Sequence, residues 1–244
     1  NYLKSKYAIS CNSGTSALHL ALRVIGVNKN HEVIIPTVSF IATANSIKYL
    51  NADPIFMDCD EYFNIDVKKT ISFLNEKTYF RNNNCYNKKT GKIIKAIIVV
   101  HVFGNAADLN SLINTCKKKN IKLVEDAAAA FGTKYKSGKL KNKFAGTIGD
   151  IGCISFNGNK VITCGGGGMI LTNNKKYFNL SKYLSTQAYD SKFDYTHNDI
   201  GYNYRLANVN AAIGLAQIEK INYYLKRKEK NFNFYKKNLN QNKN

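Results

Sequence analysis

Short apolar runs rich in Val and Ile alternate along the chain with longer segments of helical period. Residues 32–36, 54–58, 95–100 and 122–125 are runs of this kind, bounded by polar or turn-forming residues, and they predict strands buried on both faces. Further strands are expected at 152–156 and 168–171. Between the runs, 15–25, 42–50, 66–74 and 107–119 carry the three-to-four spacing of helices, and Asp108 is expected in the first turn of its helix, where a carboxylate suits the dipole. From Asn208 onward Ala211, Leu215, Ile218, Ile221 and Leu225 recur three or four apart, which predicts one long amphipathic helix. Residues 78–91 break the alternation and predict an exposed insertion, while 238–244 predict a frayed tail. Strand and helix in alternation predict an α/β fold with a mostly parallel sheet and helices on both faces.

Composition narrows the function classes. No apolar run reaches the roughly 18 to 20 residues of a membrane-spanning helix, and residues 1–7 lack a charged-then-apolar signal pattern, so a cytoplasmic protein without membrane contact is expected. The six cysteines show no Cys-x-x-Cys pair and no His at ligand spacing, so reduced thiols and no metal site are expected. A formal charge of +20 raises nucleic acid as a partner, but the lysines are spread over loops and helix faces rather than gathered in one aromatic-interleaved stripe. Solvated surface is the reading, with some attraction for an anionic substrate.

Three segments carry chemistry. Ser13-Gly14-Thr15-Ser16 opens a helix whose free N–H groups can hold a phosphate, although the same residues serve as an ordinary cap. Glu125-Asp126 ends a buried strand, where ligands of open α/β sheets bind, and small residues follow; a turn cap is the plainer alternative. Ser155-Phe156-Asn157-Gly158-Asn159-Lys160 runs into Gly165 to Gly168, and those glycines let backbone approach something closely. No Gly-Lys-Ser/Thr follows, which excludes a P-loop, and no Gly-x-Gly-x-x-Gly follows the first strand, which argues against a nicotinamide-dependent reductase.

In this order and spacing, and together with Gly201-Tyr202-Asn203-Tyr204-Arg205-Leu206, the three segments resemble the DegT/DnrJ/StrS sugar aminotransferases, which use pyridoxal 5′-phosphate (PLP). Asn157 to Lys160, Cys85 to Gly91 and His101-Val102-Phe103-Gly104 are similar to the branch that makes UDP-linked 4-amino sugars of the bacillosamine and legionaminic acid type. The resemblance implies a fold type I, aspartate aminotransferase-like large domain over 1–207, a three-layer αβα sandwich. Residues 208–244 would then lead toward a smaller C-terminal domain, which is expected to be absent or truncated here, as is the usual segment before the phosphate loop.

By the same resemblance, Lys160 carries the cofactor and moves the proton, and Asp126 pairs with the ring nitrogen. Gly14, Thr15, Ser16 and Ser155 bind the phosphate, Phe40 stacks on the ring, and Asn203 and Arg205 reach the neighbouring subunit's phosphate in a homodimer. His101, at the end of a strand, is a lesser site candidate, and a satisfied structural histidine is the plainer reading. The implied reaction transfers an amino group from L-glutamate to C4 of a UDP-linked 2-acetamido-4-keto-6-deoxyhexose for surface glycans. Ala129 departs from the pattern, since many relatives have Gln or Glu there. It favours the competing reading, an inactive homologue serving as a binding or oligomerisation module.

Overall fold

The computed structural model describes residues 2–191 and 195–239. Its strands are β1 (Tyr7–Cys11), β2 (His31–Pro36), β3 (Asp53–Met57), β4 (Thr78–Arg81), β5 (Asn84–Asn87), β6 (Ile93–Val100), β7 (Lys122–Asp126), β8 (Ile151–Ser155) and β9 (Gly168–Thr172). The helices are α1 (Gly14–Val24), α2 (Ile41–Lys48), α3 (Val67–Glu76), α4 (Asn110–Lys118), α5 (Lys175–Ser185), α6 (Asn208–Glu219) and α7 (Ile221–Leu239). The main sheet runs β1-β9-β8-β7-β6-β2-β3, with the β4–β5 hairpin attached to the start of β6. β8, β7, β6, β2 and β3 are mutually parallel, and β9 is antiparallel to both its neighbours.

Strand periodicity explains the layers. Ile34, Ile97, Val99 and Leu123 point to one core, while Val33, Ile35, Ala96, Ile98 and Val124 point to the other. Both sides of these strands are buried, as their unbroken apolar runs require. α1, α2 and α5 cover the second core, whereas α3, α4 and the start of α7 cover the first.

Several expectations need correction. Residues 78–91 are not a featureless insertion: Asn82 and Asn83, both at positive φ, close a tight hairpin whose inner face buries Thr78, Cys85 and Asn87. Asp108 precedes α4 rather than entering it, and its Oδ1 accepts from the Asn110 amide at 3.1 Å. The helix expected from Asn208 is two, because the backbone at Lys220 (φ −103°, ψ 11°) ends α6 before α7 begins. Of the apolar stripe expected along it, Ile221 is buried but Leu215 remains 62% exposed. β1 and α5 were not anticipated. The tail expected at 238–244 lies outside the described residues from 240 onward.

Candidate active site

A cleft of about 910 Å³ opens where four parallel strands end. Val38, Ser39 and Phe40 follow β2; Val100 to Phe103 end and follow β6; Asp126, Ala128 and Ala129 end and follow β7; Ser155, Asn157, Asn159 and Lys160 end and follow β8. This is the position at which open parallel sheets hold ligands, since successive loops there diverge and leave a crevice.

A further wall of the cleft is the start of α1. Ser13 caps that helix by accepting from the Ser16 amide at 3.0 Å, and no acidic residue occupies the first turn. Among the described residues the amides of Gly14 and Thr15 have no acceptor, so two N–H donors and the helix's positive end face the cleft. Gly14 must lack a side chain, because a Cβ there would stand 2.9 Å from Cβ of Ser155. That contact sets the Ser155 hydroxyl against the helix start. Part of the glycine run has a similar explanation: a Cβ on Gly168 would fall 2.3 Å from the Ser13 carbonyl oxygen, so β9 can approach α1 only as glycine.

At the end of β7 two adjacent carboxylates face opposite ways. Glu125 is fully buried and accepts four hydrogen bonds: from His101 Nε2 (2.9 Å), and from the amides of Gly146 (2.8 Å), Ile148 (2.6 Å) and Gly149 (2.6 Å). Burial pushes its carboxyl up, but His101 and the Gly149 and Gly146 amides outweigh burial and hold it below the ordinary glutamate range. His101 Nδ1 accepts from the Ala107 amide at 3.1 Å, which leaves the ring proton on Nε2 for Glu125. His101 is therefore a satisfied structural histidine, as expected.

Asp126 turns into the cleft. It is 5% exposed; Oδ2 accepts from Thr43 Oγ1 at 2.9 Å, and Oδ1 from the Ala128 amide at 3.1 Å. Burial raises its carboxyl above the ordinary aspartate range, against the opposing pull of these donors and of the nearby Lys160 charge. Lys160, half-buried, has no side-chain hydrogen-bond partner among the described residues. Phe40 presents its ring at the cleft mouth with 76% of the residue exposed.

Gly14, Thr15, Phe40, Asp126, Ser155 and Lys160 thus meet around one cleft, whereas Ser16 does not line it. The Ser16 amide and hydroxyl are both engaged by Ser13, and the residue lines a neighbouring cavity of about 470 Å³ with His19, Tyr49 and Tyr204. Asn203 and Arg205 lie exposed outside the cleft, and the Asn203 carbonyl accepts from Asn12 Nδ2 at 3.4 Å. Among the cleft residues given no role from the sequence, Phe103 and Lys228 stand out. Phe103 is 81% exposed at φ +52°, a left-handed backbone unusual for a bulky residue. Lys228 reaches the cleft from α7; its spacing of seven from Ile221 and three from Leu225 was the available signal.

The antiparallel β9 within a parallel sheet, helices on both faces and a cleft at the strand ends define the large domain of PLP-dependent transferases of fold type I. The chain belongs to the DegT/DnrJ/EryC1/StrS aminotransferase family, whose model matches residues 1–244. Pyridoxal phosphate is the cofactor of that family. The chain is 41% identical over 235 residues to a GDP-perosamine synthase of Escherichia coli O157:H7, covering 96% of this chain and 59% of that protein. It is 34% identical over 243 residues to the UDP-4-amino-4,6-dideoxy-N-acetyl-beta-L-altrosamine transaminase of Campylobacter jejuni subsp. jejuni serotype O:23/36, covering 99% and 60%. The crystal structure of NtdA from Bacillus subtilis with bound cofactor PMP superposes with a TM-score of 0.74 at 27% identity, over 90% of this chain and 46% of that one. The chain therefore spans less than two thirds of the length of these relatives.

Proposed function

We propose that the cleft binds PLP and that the protein transfers an amino group from L-glutamate to C4 of a nucleotide-linked keto-sugar. The observation carrying this reading is the convergence on one cleft of a free amine, a buried carboxylate and an open phosphate cradle. The donor set suits the group end to end. The free amides of Gly14 and Thr15, with the hydroxyls of Thr15 and Ser155, match a phosphate, and no carboxylate among the cleft's lining residues competes at that end. Asp126 is the only carboxylate lining the cleft among the described residues, which suits a protonated ring nitrogen.

Bound PLP supplies an aldehyde that takes up an amino group and a ring that withdraws electrons from the neighbouring carbon. Asp126, steered by Thr43 and Ala128, accepts a hydrogen bond from the ring nitrogen, and that positive partner offsets the burial that otherwise disfavours its charge. Lys160 would hold the cofactor through its amine, and the same amine, when free, would be the group placed to move the proton at the reacting carbon. Phe40 offers a ring face, and Asn203 and Arg205 serve the phosphate of a second subunit in a homodimer.

For the acceptor, the sequence favours a UDP-linked 2-acetamido-4-keto-6-deoxyhexose. The 41% identity to a GDP-perosamine synthase favours a GDP-linked hexose as a second reading. The test titrates the protein with PLP, reduces it with borohydride and maps the labelled peptide, then offers L-glutamate with each keto-sugar nucleotide in turn. Labelling confined to Lys160 and absent from Lys160→Ala supports the cofactor assignment. A folded protein left unlabelled overturns it, and a labelled protein aminating neither sugar leaves the inactive homologue as the better account.

A further inference from the structure

We infer that Lys228 is a substrate-positioning residue that binds the diphosphate of the nucleotide-linked sugar at the rim of the cleft. This rests on the reading above and assigns a role to a lysine that belongs, by sequence, to a run of solvated charges.

α7 docks through its first turns. Ile221 is buried in the core, and Leu225 packs against Gly132, where a Cβ would lie 2.9 Å from Leu225 Cδ1. Residues three, four and seven apart share one helix face, so Lys228 lies on the docked face, one turn beyond Leu225, and its side chain lines the cleft. Lys226 and Arg227 are equally charged but do not line it. The charged groups of the cleft also form a series in depth. Asp126 is buried at the end of β7, Lys160 is half-buried beyond the end of β8, and Lys228 is exposed.

The two deeper groups are engaged by the cofactor, which leaves Lys228 as the cation for an anionic part of the substrate. In a sugar nucleotide the reacting pyranose must reach Lys160, so the diphosphate attached to it lies farther out, toward the level of Lys228. An ammonium on a flexible stem suits that group as a point charge.

The test measures binding of UDP and GDP to the PLP-loaded protein by calorimetry for wild type, Lys228→Ala, Lys228→Arg and Lys226→Ala, and KM for the keto-sugar nucleotide and for L-glutamate. Loss of one solvent-screened charge contact at the exposed rim predicts that Lys228→Ala weakens nucleoside diphosphate binding roughly fivefold. KM for the sugar nucleotide is expected to rise in parallel, with little change in kcat or in KM for glutamate. Lys228→Arg is expected to stay within about twofold of wild type, as is Lys226→Ala. Lys228→Ala that keeps wild-type affinity for both diphosphates overturns the inference, as does an effect confined to glutamate. Cofactor loading on Lys160 is read separately by absorbance, so failure of the lysine assignment is distinguishable from failure of the functional reading.

Discussion

Replacing Glu125 by Gln changes one atom type and is predicted to be among the most damaging conservative substitutions in the protein. The carboxylate takes four N–H donors, two on each oxygen: His101 and Gly146 on Oε2, Ile148 and Gly149 on Oε1. An amide keeps one oxygen and turns the other position into a donor. With the amide nitrogen toward Ile148 and Gly149, two backbone N–H groups face a donor. With it toward Oε2's partners, Gly146 faces a donor, and His101 can accept at Nε2 only by moving its proton to Nδ1, where it meets the Ala107 N–H. Every arrangement therefore strands at least two donors, buried or half-buried.

Hydrogen bonds to a charged group are each worth about 1.5–3 kcal/mol, so two of them come to roughly 3–6 kcal/mol. For a chain of this size that lowers Tm by roughly 6 to 24 °C at about 2–4 °C per kcal/mol. Thermal and urea unfolding of the apo protein at neutral pH, followed by far-UV circular dichroism, measures it. The pH dependence supplies a second signature. Because the Glu125 carboxyl is held below its ordinary range, its contribution is present above the unfolded-state value and is lost as pH falls through the folded one. The gap between wild type and variant should accordingly narrow in acid. A fall of less than about 2 °C at neutral pH, on the same scale, would refute the hydrogen-bond reasoning.

Asp126→Asn should raise the Tm of the apo protein at neutral pH, because burial raises the aspartate's value and its charged form is disfavoured above the unfolded-state pKa; with PLP present the order should reverse. An apo variant less stable than wild type contradicts this. His19, buried and lowered to about 4 by desolvation and by Arg23, should make stability decline as pH drops from about 6.5 toward 4, since the unfolded chain takes up the proton first. His19→Phe should flatten that slope in a urea series across the window, and an unchanged slope would exclude His19 as its source.

The parts of the fold that were legible are those where one physical rule acts alone. A strand buried on both faces needs continuous apolar residues, and β2, β6 and β7 have them. β1 was missed because, as a terminal strand of the sheet, it buries only Ile9 and Cys11 in a pattern too short to stand out. α5 was missed although Asn174 caps it through the Lys176 and Tyr177 amides, and Tyr177, Leu180 and Leu184 repeat at helical spacing behind that cap. The hairpin at residues 78–87 was hidden because its turn uses Asn82-Asn83, a pair that reads as a polar loop until both positive φ angles are known. In the site, contiguous motifs were legible, whereas Lys228 reaches the cleft only because the first turns of α7 dock far from the other motifs in sequence.

The Glu125-Asp126 pair shows why a strand end serves this site so well. Neighbouring residues on a strand point to opposite faces, so two like carboxylates one residue apart experience opposite environments. One is surrounded by amide donors and a histidine that hold it charged, and it ties β7 to the turn at residues 146–149 and, through His101, to the end of β6. The other is buried with only two donors, disfavoured as an anion and turned toward the space between Lys160 and Phe40. The first fixes the backbone position from which the second projects. Loosening Glu125 should therefore weaken whatever depends on Asp126's aim even where Asp126 itself is unchanged, and it follows that the two residues are coupled as anchor and effector.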